Sequence, residues 1–326
     1  MRHLLHTMSA GLVAAAVGSA LAVAPARAQS PHPSKDIHLI VPTPAGGTSD
    51  AAARLLGQAL AKAMGQAVVV ENKPGASGAL AAQALMAAAP DGHTVMWTLA
   101  SMSGLALVQK GAPYQSLAEL TPVSIVGHLE YALFVHADVP ARSVAELIDH
   151  ARSHPDQLSY ATGSLGDYMA TTKFTQATGT KIVRVPYKGG AQLMPDLIGG
   201  RVQLNFGPVS SGLAHVKDGK LRMLAVLQPQ RSALAPDVPT LKEVGLGSIT
   251  LPTWQAIFAP PNTPAALAAR LSREVATAMA EPSLRAQFDK LAIQPEGSTP
   301  QQLSAVVARD TLAWRTFVSD YAIPQE

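Results

Sequence analysis

Cysteine is absent from the 326 residues. That excludes disulfides, thiolate nucleophiles, thiolate-ligated metals and a lipid anchor carried on cysteine. The fold therefore rests on core burial. Charge is scarce: 25 Lys and Arg stand against 22 Asp and Glu. Setting aside Arg2 and Arg27, at the extreme N-terminus, leaves 23 basic residues against 22 acidic ones. A nearly neutral chain has no electrostatic footprint for nucleic acid, and aromatics at 5% are too sparse for a base-stacking platform. No HExxH, Walker A or Gly-x-Ser-x-Gly occurs, so no metal or cofactor is expected. Beyond the N-terminus, no apolar run reaches membrane-spanning length.

The N-terminus itself reads as a secretory signal peptide over residues 1–28. Arg2 and His3 give a weakly basic start, Leu12 to Val23 is a small, apolar run, and Ala26-Arg27-Ala28 fits the cleavage pattern, leaving Gln29 as the new N-terminus. The run is short for a membrane anchor and no stop-transfer pattern follows. Export to the periplasm is the expectation. Roughly 300 residues remain, enough for two domains.

The chain then repeats one pattern. Ile37 to Val41 is a strand-length apolar run, Pro42 and Pro44 stop it, Gly46-Gly47 allows a tight turn, and Ala51 onward is strongly helical. Thr48, Ser49 and Asp50 are all candidate N-caps. A helix starting after a glycine turn presents free N–H groups and about half a positive charge, an anion site without Lys or Arg. An ordinary capped strand-to-helix turn fits the same residues. The pattern recurs at Ala67 to Glu71 with Pro74-Gly75-Ala76-Ser77-Gly78, and a third strand, His93 to Leu99, leads into Ala100 to Ser103. Alternating strands and helices imply parallel pairing, with ligands beyond the C-terminal strand ends. The turns Ala45 to Asp50, Pro74 to Gly78 and Thr98 to Ser103, including Ser101, all lie at such ends and are expected to converge. Leu158 to Ala161 followed by Thr162-Gly163-Ser164 and a helix repeats the pattern once more.

The layout expected is α/β, with two mixed sheets flanked by helices: a first domain over 29–128, a second over 129–250, and a return to the first over 251–326. Two crossings make a hinge with an interdomain ligand cleft. Trp97 and Trp254 fall in strands, where core packing and cleft lining are both open. Scattered histidines such as His93 and His128 read as structural. Lys188, after a strand, reads equally as a surface residue or an anion partner. An exported serine hydrolase using Ser77 or Ser164 is a remote alternative, since no base and orienting acid are recognisable nearby.

Val41-Pro-Thr-Pro-Ala-Gly-Gly-Thr-Ser-Asp50 with Ala53-Arg54 resembles the first-loop signature of the tripartite tricarboxylate receptor family, also called Bug receptors. Glu71 to Gly78 is similar to the second signature. Further matches run through Pro90-Asp91-Gly92, Tyr160 to Gly166, Val185 to Gly189, Asp196 to Gly200, Gly219 to Arg222, Pro236 to Thr240 and Trp254 to Pro264. The resemblance implies a type II-like periplasmic binding protein fold and a receptor without catalytic activity. It implies a small carboxylate, mono- or dicarboxylate, aliphatic or aromatic, captured by domain closure. Delivery to the membrane subunits of a tripartite tricarboxylate-type transporter is the implied role, with action through a membrane sensor partner as the alternative. A monomer is expected.

By resemblance, the ligand-binding set comprises Thr43, Gly47, Thr48, Ser49 and Asp50 in the first loop, and Ala76, Ser77 and Gly78 in the second. Thr98 and Ser101 belong to the third turn; Thr162, Gly163, Ser164, Asp167 and Gly207 close from the second domain. Grip through backbone N–H groups and hydroxyls, partly through water, is implied. Several positions depart from the family pattern. Thr43 replaces an aromatic, Ala45 a proline and Gln203 an acidic residue. Gly207 stands where Asp is common, which is expected to open space. Asp167 stands where a small or polar residue is usual, and an inward-pointing charge there would disfavour a second ligand carboxylate.

Overall fold

Two twisted sheets are built from three stretches of chain, as seen in a computed structural model that describes residues 32–325. The expected signal peptide and its cleavage site lie outside the described residues. The first stretch runs β1 (Ile37–Val41), α1 (Thr48–Met64), β2 (Val68–Asn72), α2 (Ala79–Met86), β3 (Thr94–Leu99), α3 (Leu105–Val108) and β4 (Thr121–Leu129). The second runs β5 (Tyr131–His136), α4 (Val144–Ser153), β6 (Ser159–Thr162), α5 (Leu165–Thr178), β7 (Val183–Pro186), α6 (Gly190–Ile198), β8 (Leu204–Pro208), α7 (Val209–Lys217) and β9 (Leu221–Val226). The third runs β10 (Trp254–Ala259), α8 (Ala265–Ala280), α9 (Pro282–Lys290), β11 (Ile293–Pro295) and α10 (Pro300–Asp320).

The first sheet has the order β11-β4-β10-β3-β1-β2 and the second β7-β6-β8-β5-β9. In the first, β1 pairs parallel with β2 and β3, while β10 is antiparallel to both β3 and β4. In the second, β6 is parallel to β7 and β8, and β5 is antiparallel to β8 and β9. Both sheets are therefore mixed. The chain passes from one to the other at Glu130, between β4 and β5, and returns between β9 and β10. From Pro33 onward it forms one compact unit.

Burial on both faces explains the strand sequences. Ile37, Leu39, Ile40 and Val41 are all buried, with only His38 turned out; such unbroken apolar runs suit a sheet covered by helices on both sides. Trp97 and Trp254 are fully buried, so both are core residues. Each indole N–H has a partner, Gln255 Oε1 at 2.7 Å for Trp97 and Asp310 Oδ2 at 2.7 Å for Trp254, as a buried donor requires. His128 bonds Glu296 at 2.8 Å and His93 lies 3.3 Å from Asp91, both structural. The C-terminal helices lie against the first sheet: Thr299 opens α10 with a full capping box, and Leu303, Val307, Trp314 and Phe317 are its buried stripe.

Two elements differ from their sequence reading. α5 starts at Leu165, whereas helical propensity places its start at Tyr168 after a turn over Thr162 to Asp167; the earlier start follows because Ser164 caps it by accepting the Asp167 N–H at 3.2 Å. α1 is preceded by Gly47 as N-cap, with no side-chain cap bond. Asp50 is drawn elsewhere, as described next.

Candidate functional site

A cleft of about 630 Å³ lies between the two sheets, within the range of small-molecule sites. Four helix starts open on it: Gly47, Thr48 and Ser49 of α1, Ser164 of α5, Gly190 and Ala191 of α6, and Pro208, Ser210 and Ser211 of α7. The N–H groups of a helix's first turn have no partner inside the helix, and its dipole adds positive potential there. α1, α6 and α7 have no side-chain cap bond, and α6 and α7 carry no acidic residue in the first turn. Among the described residues no Lys or Arg lines the cleft; its titratable side chains there are Asp167, Tyr131 and His215. Met194, Pro195 and Ile198 of α6, with Leu99, Leu129 and Leu291, supply an apolar wall. The cleft thus combines backbone donors for an anion with a surface for carbon.

The two sheets meet across this space. Thr48 Oγ1 and Ser210 Oγ are 3.0 Å apart, tying the start of α1 to the start of α7. Pro44 packs on Gly189, where an added Cβ would lie 2.7 Å from the proline ring. Gly163 lies so near the Gly189 carbonyl carbon that its own Cβ would fall 2.7 Å away. Gly189 is therefore required where the loops of the two sheets touch, and Gly163 where two loops of the second sheet touch.

The turns after β1 and β6 share one construction. Gly46 donates its N–H to Asp50 Oδ2 at 2.9 Å, and Gly163 donates to Asp167 Oδ2 at 2.8 Å, each carboxylate lying four residues on. The surroundings of the two acids differ. Asp50 also receives Arg54 at 3.0 Å and Asn72 Nδ2 at 2.9 Å. Burial would raise its pKa, but the bonds from Arg54, the Gly46 N–H and Asn72 outweigh it and hold the carboxyl below its ordinary value. Asp50 is not a lining residue; it fastens the loop that is. Asp167 does line the cleft, at 4% exposure, and accepts from Ser164 Oγ at 2.7 Å as well as from Gly163. No ion pair reaches it among the described residues, and burial pushes its carboxyl up to about 6 against the pull of those hydrogen bonds. Burial also pushes the Tyr131 phenol up, with the Asp167 charge adding to the rise.

Of the residues singled out in the sequence, Thr43, Gly47, Thr48, Ser49, Gly163, Ser164 and Asp167 come together on the cleft. Thr43 Oγ1 is buried there with no partner among the described residues. The second turn goes elsewhere: Ala76 and Ser77 are exposed, and Gly78 packs under Met102. Gly75, Ala76, Ser77 and Gly78 all have positive φ, a left-handed turn that two non-glycine residues adopt at some cost. Thr98 is fully buried in β3. Ser101 is not a cleft-lining residue but borders a small adjoining cavity that shares Leu99, Leu129 and Tyr131 with the cleft. Thr162 sits beneath its turn, accepting from Tyr187 N at 2.8 Å through its carbonyl. Gly207 opens no space: a Cβ there would lie 2.3 Å from Asn205 Oδ1, whose amide fills the position and donates to the Ala161 carbonyl at 2.9 Å. Lys188 is exposed and does not line the cleft. Ser77 and Ser164 have no histidine bonded to them among the described residues, and Ser164 is held by Asp167.

Ser210, Ser211, Tyr131 and the α6 residues line the cleft without standing in the set named from the sequence. Gly207-Pro208-Val209-Ser210-Ser211 carries the same strand–small turn–helix signature as the other loops and was the available signal for α7. Nothing local marked Tyr131, which reaches the cleft because it begins the strand after the crossing. Among the described residues no helix is long and apolar enough to cross a membrane, and no group of His, Asp and Glu is placed to hold a metal.

Comparison with known proteins matches residues 52–322 to the model of a family described as tripartite tricarboxylate transporter family receptor. Among solved structures, the periplasmic binding protein BugD is 26% identical with a TM-score of 0.85, over 90% of this chain and 100% of BugD. R. palustris Rpa4515 with adipate is 30% identical with a TM-score of 0.85, over 90% and 99% of the two chains. MatC from Rhodopseudomonas palustris with bound malate is 26% identical with a TM-score of 0.81, over 88% and 99%.

Proposed function

The chain belongs to the tripartite tricarboxylate transporter receptor family, and on that premise we propose that its cleft captures a small organic carboxylate in the periplasm by closure of the two sheets. The family and the neighbouring structures are solute-binding receptors and not enzymes. The observation that carries the proposal is the cleft itself: about 630 Å³, without Lys or Arg, into which three helices open with no side-chain cap. Such a site favours a compact anion through backbone N–H groups. Each charge-assisted bond contributes roughly 1.5–3 kcal/mol, so a few of them with closure reach micromolar affinity, about −8 kcal/mol. Thr43, Thr48 and Ser49 add hydroxyls beside those N–H groups. The ligand's carbon skeleton lies on the wall formed by Met194, Ile198 and Leu291.

The crossing at Glu130 and the return between β9 and β10 act as the hinge, with domains over 29–128 with 251–326 and over 129–250. The family's description supports delivery to transporter membrane subunits, and export through residues 1–28 fits a periplasmic site. The adipate and malate bound by two neighbours support the ligand class.

Thermal-shift and calorimetric titration of the mature protein against mono- and dicarboxylates, with their amides as controls, tests the proposal. An acid at about a hundred times its dissociation constant adds about 2.7 kcal/mol to apparent stability, and its amide does not. No shift with any acid, in protein verified folded and free of ligand, overturns it.

A further inference from the structure

We propose that Asp167 sets the number of carboxylates this receptor accepts: its own carboxylate holds the α5 side of the cleft, so ligands with one carboxylate and an uncharged far end are admitted and dicarboxylates are disfavoured. The inference rests on the carboxylate reading of the cleft given above. Among the described residues Asp167 is the one acidic residue lining the cleft, and none of the lining residues is Lys or Arg. The donors that an incoming carboxylate would meet on that side, the Gly163 N–H and the Ser164 hydroxyl, already serve Asp167 at 2.8 and 2.7 Å. The equivalent acid on the other sheet, Asp50, is directed off the cleft and answered by Arg54 at 3.0 Å. The two turns are built alike, yet only one places an uncompensated acid in the wall.

The size of the cleft strengthens the argument. A round space of about 630 Å³ is about 11 Å across, close to one screening length, so no position inside is electrostatically remote from Asp167. The starts of α1, α6 and α7 remain for one carboxylate. The second, on any short chain, then faces either Asp167 or the apolar wall of Met194 and Ile198, and neither stabilises charge. A far end that is aliphatic, or that donates a hydrogen bond to Asp167, fits both. The other titratable groups facing the space are Tyr131 from β5 and His215 from α7. The high pKa of Asp167, caused by burial, agrees with an acid that lacks a cationic partner.

The test compares hexanoate with adipate, matched in length, against the mature protein and Asp167→Asn at about pH 8. The wild type is expected to favour the monocarboxylate at least tenfold, and the variant to shrink that ratio tenfold or more. Equal or tighter binding of adipate by the wild type, or a ratio unchanged in Asp167→Asn, overturns the inference while leaving the receptor reading intact. Binding of no carboxylate overturns both. Should the variant fail to fold, the wild-type ratio between about pH 8 and pH 6 decides: preference for hexanoate falls as Asp167 takes up its proton. The same trend must persist in His215→Asn, and a ratio flat with pH, or a trend lost in His215→Asn, overturns the inference.

Discussion

Replacing Asp167 by Asn should stabilise the ligand-free protein, and only above a defined pH. The folded-state pKa stands at about 6, against 3.8 for the ordinary carboxyl. At roughly 1.4 kcal/mol per pKa unit, ionising this group costs the folded state about 3 kcal/mol relative to the unfolded chain. Because the folded pKa is raised, the neutral acid's contribution is fully present below about pH 3.8. It drains away as the unfolded chain ionises first, and is gone above about pH 6. The amide that Asp167→Asn introduces is neutral throughout, and its oxygen can still accept the Gly163 N–H. Denaturant titrations of both proteins from about pH 4 to pH 8 should therefore give curves that coincide at the acid end and separate by about 3 kcal/mol at the basic end. For a chain of this size that corresponds to a Tm higher by roughly 5 °C in the variant at pH 8. Two parallel curves, with no divergence between pH 4 and 8, would refute the picture of a buried, unpaired acid.

Asp50→Ala should behave in the opposite sense. It strips the partner from the Gly46 N–H, Asn72 and the half-exposed Arg54, costing roughly 3 kcal/mol with the Arg54 pair discounted for solvent. Since the folded pKa is depressed, that loss is seen above about pH 3.8 and fades as pH falls below it, which acid-range thermal melts check. Ser210→Ala removes the 3.0 Å bond to Thr48; stability should change by no more than about 1 kcal/mol, while stopped-flow measurement should show ligand release quickened several-fold. Gly163→Ala drives a Cβ to within 2.7 Å of backbone at Gly189 and should cost roughly 1–3 kcal/mol by denaturant titration, with ligand binding weakened because the β6 and β7 loops of the second sheet, which both border the cleft, are pushed apart.

Much of this architecture is legible in the residues because strand, turn and helix signals are local. Val41 to Asp50 announces its turn through proline, paired glycine and a helical run, and that turn does line the cleft. What local signals cannot carry is direction. The Ser77 turn has the same composition, yet its left-handed backbone leaves Ser77 exposed at the surface. Gly207 suggests room, and a side chain two residues earlier in the same strand removes it. β11, three residues long, has no periodicity to detect and exists through its pairing with β4. Asp50 and Asp167 have similar sequence surroundings. Only three-dimensional placement shows that Arg54 answers the first and that the second stands alone.

The position of β10 also governs the order in which the molecule can assemble. It is a central strand, inserted between β3 and β4, yet it arrives from residue 254, more than a hundred residues after either neighbour. During vectorial synthesis the strands of the second sheet, 131–226, are complete and contiguous well before the first sheet has its keystone. Until then β3 and β4 each present an unmated edge, of the kind that recruits other chains. The first sheet is thus the late-maturing and aggregation-prone half, and a chain halted before Trp254 would hold one finished sheet and one open one.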